Sequence, residues 1–179
     1  ASGMGALEYE PETAIAASFG ELDFDVIAEE CARLLATNES DDFDELLALG
    51  GSSGGARPKV LTEVDGEEWI VKFPSSFDTE NIGEQEYCIA QLAKRCGLDV
   101  PETRLFPSKR CSGYFGVKRF DRVGADPSRK VHMASAGALL ESSHRVPNLE
   151  YELLMRLTSL LTDSACDIDR LYRLMCFNV

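Results

Sequence analysis

No stretch of this chain carries the roughly 18–20 consecutive apolar residues that a membrane-spanning helix needs, so no membrane association is expected. The N-terminus has no basic segment followed by an apolar one, and no secretory leader is read there. Its opening Ala1-Ser2-Gly3 has the look of a cloning remnant. The six cysteines, at 31, 88, 96, 111, 166 and 176, include no C-x-x-C pair. With only two histidines, His132 and His144, far from other ligand types, they offer no metal template. Cys31, Cys88, Cys96 and Cys176 fall in apolar helical patterns, where a free thiol is expected to act as a small hydrophobe. A reduced, cytoplasmic protein is the inference. Basic charge is also scarce: 18 Lys and Arg against 31 Asp and Glu give a net charge of −13. That field opposes direct attachment to nucleic acid or anionic lipid. Much of the acidity lies in residues 8–45, where "ESDDFDE" (39–45) reads as a solvated surface or a contact for a basic partner. A phosphate-bearing ligand would need local donors.

What is present is ordinary for a globular protein: 179 residues, 44% hydrophobic and 27% charged, enough for one domain or one domain plus part of a second. Ile27, Cys31, Leu34 and Leu35 have helical spacing within residues 22–36, with Asp23 or Asp25 as the cap. A short helix is expected from Phe43 to Leu49, ending at Gly50. The single low-complexity stretch, "GGSSGGARPK" (50–59), follows. Periodicity then changes to two. Val60, Thr62 and Val64 alternate, Asp65-Gly66 supplies a tight turn, and Trp69, Val71 and Phe73 alternate again, which predicts a β-hairpin. Trp69 reads as core, and Lys72 falls on the opposite face with Ile70. Residues 80–96 return to helical spacing, with Ile82, Ile89, Ala90, Ala93 and Cys96 near one face. Strands are expected at 103–106 and 114–120, then a loop at "VGADPSR", then helices at Leu149–Leu161 and Ile168–Phe177. No internal repeat is visible.

Three features could carry chemistry. A glycine run lets backbone N–H groups approach phosphate oxygens closely, although the same composition serves as a plain linker. Because this run precedes a strand, it is neither a Walker A loop nor a dinucleotide fingerprint. Lys72 ends a strand inside "WIVKF", where a lysine can hold nucleotide phosphates while a helix carboxylate, Glu84 or Glu86, holds the lysine. Its bland counterpart is a solvent-facing lysine on a half-buried strand. Thirdly, "VKRFDR" (117–122) sits where strands give way to helices, and a crossing chain there can offer backbone groups to an adenine edge. The order of these features is the order in which kinase folds assemble an ATP site.

The blocks "GGSSGGARPKV" (50–60), "WIVKF" (69–73), "EYCIAQLAKRCGLDVPE" (86–102) and "GVKRFDR" (116–122) resemble those of HipA-like serine/threonine kinases, the toxins of bacterial toxin–antitoxin pairs. "MGALEYEPE" (4–12) is similar to the end of that family's N-terminal subdomain. The resemblance implies an α+β fold: a kinase-like N-lobe of antiparallel sheet plus one helix at 50–122, preceded by connecting helices (1–49) and followed by the start of a helical lobe (123–179). It implies ATP as cofactor, with Lys72 on the phosphates and Glu86, rather than Glu84, as its carboxylate. Gly54, Gly55 and Ala56 would belong to the phosphate loop, and Lys118 and Phe120 to the adenine-holding segment. Ser52 matches an autophosphorylated loop serine, with Ser53 beside it; a phosphate there adds about −2 charge and would inhibit ATP binding. The family's catalytic loop and its Mg2+-binding aspartate are expected beyond Val179, so the fragment alone is expected to be inactive. Implied partners are a small DNA-binding antitoxin (HipB-like) and a protein substrate of the translation machinery. A non-catalytic interaction module, one half of a split toxin, and a small-molecule kinase are the alternatives left open.

Overall fold

The computed structural model describes residues 4–6, 23–37, 57–124, 129–142 and 149–179. The helix expected at Phe43–Leu49, the loop residues Ser52, Ser53, Gly54, Gly55 and Ala56, and His144 lie outside them. The described residues form an α+β arrangement: α1 (Phe24–Thr37), β1 (Lys59–Val64), β2 (Glu67–Lys72), α2 (Ile82–Arg95), β3 (Thr103–Phe106), β4 (Tyr114–Lys118), α3 (Ala136–Leu139), α4 (Tyr151–Thr162) and α5 (Ala165–Asn178). None of these helices is long and apolar enough to cross a membrane. Two compact units divide the chain, Ala1–Ala90 with Pro101–His132 and Gln91–Val100 with Met133–Val179.

In the first unit the predicted hairpin forms around Asp65-Gly66. Both residues take positive φ, 56° and 77°, the backbone that a two-residue turn matching strand twist requires. Val64 then faces Glu67, and Lys59 faces Lys72. The sheet order is β1-β2-β4-β3, with every neighbouring pair antiparallel. Trp69, Val71 and Phe73 are buried on one face as the alternation predicts, joined by Val60, Phe106 and Tyr114 and covered by Ile27 and Cys31 of α1. Asp23, not Asp25, caps α1: its carboxylate accepts the Asp25 N–H at 3.0 Å and its carbonyl accepts from Val26 and Ile27. The Asp25 carboxylate instead accepts from Ser108 Oγ (2.5 Å), the Lys109 N–H (2.9 Å) and Tyr114 OH (2.8 Å).

Several expectations are corrected. β4 ends at Lys118 rather than at residue 120, because Arg119 and Asp121 turn into a buried ion pair while Phe120 is exposed. Among the described residues no strand follows β4, as expected, although an isolated antiparallel bridge joins Arg122 to Lys130. On α2, Ala93 is buried as the spacing predicts, whereas Ile89 is 56% exposed and Cys96 is exposed. The close approach to β4 is set by Gly83. A Cβ there would lie 2.1 Å from the Gly113 carbonyl oxygen, so glycine alone permits this approach of helix to strand. Cys88 and Cys176 are exposed as well; of the four thiols expected to pack, Cys31 is the buried one.

In the second unit α4 and α5 pack together and run antiparallel. Asp163 ends α4 in the left-handed conformation, and Ser164 opens α5 by accepting the Asp167 N–H on its hydroxyl. This cap starts α5 three residues before the expected Ile168. Asn178 donates to Tyr151 OH at 2.8 Å, tying the far end of α5 to the start of α4. None of the residues of α3, α4 and α5 is buried.

Candidate functional site

Lys72 closes β2 on the face opposite Trp69 and Val71. Its strand neighbours on that face are Lys59 of β1 and Phe115 of β4. Its ammonium stands 5.3 Å from the Phe115 ring centre and donates to Glu86 Oε2 at 2.9 Å. Glu86 lies one turn into α2, on the side that Gly83 brings against β4. Glu84, the other candidate, is exposed. The choice between them follows from helix geometry: at 100° per residue, positions 83, 86, 87 and 90 share a face, and 84 points away.

The other Glu86 oxygen, Oε1, accepts from Arg57 Nη1. Arg57 also forks onto Asp78, with Nε to Oδ2 at 3.0 Å and Nη2 to Oδ1 at 2.8 Å. Asp78 in turn accepts from the Ser75 N–H at 2.9 Å and the Ser75 hydroxyl at 2.6 Å. The Arg57 guanidinium and the Ser75 donors hold its carboxyl well below the usual carboxylate range. Burial, then the neighbouring charge of Lys72, pushes the Lys59 ammonium down, and Glu86 opposes them. Three cations thus meet two carboxylates. That leaves one net positive charge in a protein of net charge −13, and the Lys72 side chain is 35% exposed.

Lys118 and Phe120 are not part of this cluster. Lys118 pairs with Trp69 across the ladder and so lies on the opposite face from Lys72. Its ammonium bonds Glu67, with Glu102 at 3.7 Å, and its N–H donates to the Glu102 carbonyl at 2.8 Å. Arg57 and Asp78 were missed from sequence. Their signal was slight: an arginine directly after the glycine run, and an aspartate in the "PSSFDT" break, each in a segment read as a connection.

An antiparallel sheet with one helix between β2 and β3, and a strand lysine bonded to that helix, defines an α+β domain organised around a cationic cluster. The profile of the HipA-like C-terminal domain matches residues 51–179, and the chain belongs to that family. It is also similar to a curated protein of Sinorhizobium fredii (strain NBRC 101917 / NGR234) named "Putative kinase Y4dM", with 27% identity over 144 residues. The match covers 73% of this chain and 34% of the relative, so the chain spans about a third of the length of that protein.

Proposed function

We propose that this chain is the ATP-binding lobe, with the first helices of the second lobe, of a HipA-like protein serine/threonine kinase. The observation that carries the reading is the Lys72–Glu86 pair, strand to crossing helix, beside the end of the glycine-rich loop. A carboxylate fixes the direction of the ammonium and leaves it further donors for phosphate oxygens. The net positive charge of the cluster suits a polyphosphate in a protein whose overall field repels one. Gly54, Gly55 and Ala56 would add backbone N–H donors. Because the Lys118 N–H already serves Glu102, the adenine-holding role passes to the backbone of Phe120.

Among the described residues no group of His, Cys, Asp or Glu gathers to hold a metal ion. In this reading Mg2+ would be held by carboxylates expected beyond Val179, as the family resemblance implies. Phosphate would pass to a serine or threonine of a translation-machinery protein, and Ser52 or Ser53 would take an inhibitory phosphate. The cytoplasmic kinase would be held by a small DNA-binding antitoxin (HipB-like). The net charge of −13 favours such protein contacts over direct nucleic-acid binding.

Calorimetry with ATP and Mg2+ on the wild type and on Lys72→Ala tests the nucleotide reading. Saturable binding is expected in the wild type, weakened about tenfold or more in the variant, as loss of a charged phosphate contact implies. Equal affinity in the two proteins, or no binding by either, would sink it.

A further inference from the structure

Arg57, directly after the glycine run, meets Asp78 in the turn ahead of α2 and Glu86 within that helix. Two of its nitrogens lie against Asp78 in a fork, and its third reaches Glu86. Asp78 is held from behind by the backbone and hydroxyl of Ser75. The Glu86 carboxylate is therefore divided: Oε1 to Arg57, Oε2 to Lys72. A glutamate anchored only by a lysine can turn about its side-chain torsions and carry the lysine with it. A planar guanidinium fixed at two other points removes that freedom, because it presents its donors in one plane and one direction. Lys72 gains no bond from Arg57. It gains a partner that cannot turn away.

We propose that Arg57 is a positioning residue: through Glu86 it aims the Lys72 ammonium, and through Asp78 it fastens the root of the glycine-rich loop to the connection leading into α2. Its effect on ligand affinity rests on the nucleotide reading above, whereas the positioning itself does not. The fork, rather than the charge, is what matters. A lysine at 57 keeps the charge but makes only a point contact, so it can hold Asp78 or Glu86 but not both in fixed geometry.

The test needs one readout on Lys72 and one on ligand. In the chain labelled with 15N-lysine, an ammonium held in an ion pair exchanges slowly with water and gives its own NMR signal. That signal is expected in the wild type and lost in Glu86→Gln, which removes the direct partner. It is expected to be lost or broadened in Arg57→Ala, although Lys72 and Glu86 both remain, and only partly restored in Arg57→Lys. Asp78→Asn, which keeps every cation, moves it the same way to a smaller extent and serves in place of Arg57→Ala should that variant fail to fold. In parallel, Arg57→Ala is expected to weaken ATP about tenfold, in the range seen when a supporting partner of a ligand-contacting side chain is removed. Adenosine, which lacks phosphates, should bind the variant and the wild type alike; a merely structural role would weaken both ligands together. A Lys72 signal unchanged in Arg57→Ala and Asp78→Asn overturns the proposal, as does a wild type with no protected Lys72 ammonium. A wild type that binds no ATP defeats the nucleotide reading, while the ammonium signal still decides the positioning.

Discussion

Arg119 and Asp121 stand two residues apart and meet side by side, Nε to Oδ1 at 2.9 Å and Nη2 to Oδ2 at 2.7 Å, with neither side chain exposed. The same carboxylate accepts the Gly5 N–H at 2.6 Å and Arg122 Nη1 at 3.0 Å. Arg119 and Arg122 both reach Glu68 on β2. One aspartate thereby binds the end of β4 to β2 and to residue 5, some 116 positions away in sequence. It also leaves Phe120, between the paired residues, facing outward.

Removing that carboxylate takes from buried Arg119 the partner of its Nε and Nη2, although its Nη1 still reaches Glu68. Asp121→Ala is expected to cost about 3–5 kcal/mol, the usual penalty for breaking a buried pair from one side. Urea denaturation reads the loss, and hydrogen exchange at the Gly5 amide should quicken in the same variant. A change within about 0.5 kcal/mol, the range of ordinary surface substitutions, would show that the pair is idle.

Acid should unfold the protein through three carboxylates. Asp25 is held low by the Ser108 hydroxyl and the Lys109 N–H, and Asp78 by Arg57 and Ser75. For Asp121 burial works in the opposite direction, but the Arg119 bonds, the Gly5 N–H and Arg122 outweigh it and keep the group low. Folded values below the unfolded value, about 3.9, mean that their stabilisation is complete above that pH. It is lost as pH falls through the folded values. Melting temperature should be level from pH 7 to about 5 and drop below about 4. Asp78→Asn should flatten the drop. A steep decline beginning near pH 6 would point to other groups.

Thiol reagents should separate the cysteines by burial. Cys31 is buried among Trp69, Val71 and Phe73, and burial pushes its thiol up to about 11. Both effects suppress the thiolate that reacts. Cys88, Cys96, Cys166 and Cys176 are exposed. Mass spectrometry after brief alkylation at pH 8 should find those four modified and Cys31 intact until denaturant is added. Rapid labelling of Cys31 would mean that α1 leaves the sheet readily.

The hairpin was legible because Asp65-Gly66 is a local signal: the turn and its two flanking alternations lie within about fifteen residues of one another. Glu86 was legible through the family resemblance; spacing along the helix had left Glu84 open beside it. Arg57 was not, because its partners stand 21 and 29 positions further on and nothing local marks them as partners. The inward face of α2 was read only in part: Ala93 is buried as expected, but Ile89 and Cys96 are exposed. The helix is seated as well by a residue with no side chain, Gly83, and by the ion pair of Glu86. Hydrophobic pattern carries no term for either. The inward turn at Arg119 and Asp121 was hidden in the same way, since charged residues after a strand read as solvent-facing until their partners are known.

The two glutamates of the first turns of α2 give a direct comparison. Glu86 bonds Lys72 and Arg57, while Glu84 is exposed. Under the nucleotide reading, Glu86→Gln is expected to weaken ATP about tenfold, the loss typical of a charge-assisted bond. Glu84→Gln should leave affinity within twofold or so. Similar losses in both variants would mean that general charge, not the Lys72 contact, governs binding.

Gly83 joins the fold to the site, and its replacement should disturb both. A methyl group at that position would press on the Gly113 carbonyl, which is backbone and cannot rotate aside, so α2 must shift away from β4. Alanine's better helix propensity, worth up to about 1 kcal/mol, acts in the opposite direction but cannot relieve a clash of this depth. Gly83→Ala is therefore expected to lose about 1–3 kcal/mol on balance, as overpacked sites do. Glu86 lies one turn further along the same face, so the shift should also carry its carboxylate off Lys72. Urea denaturation reads the first effect and the Lys72 ammonium signal reads the second. Loss of stability with that signal intact would show that α2 tilts about Glu86, making the ion pair rather than the glycine contact the fixed point of the helix.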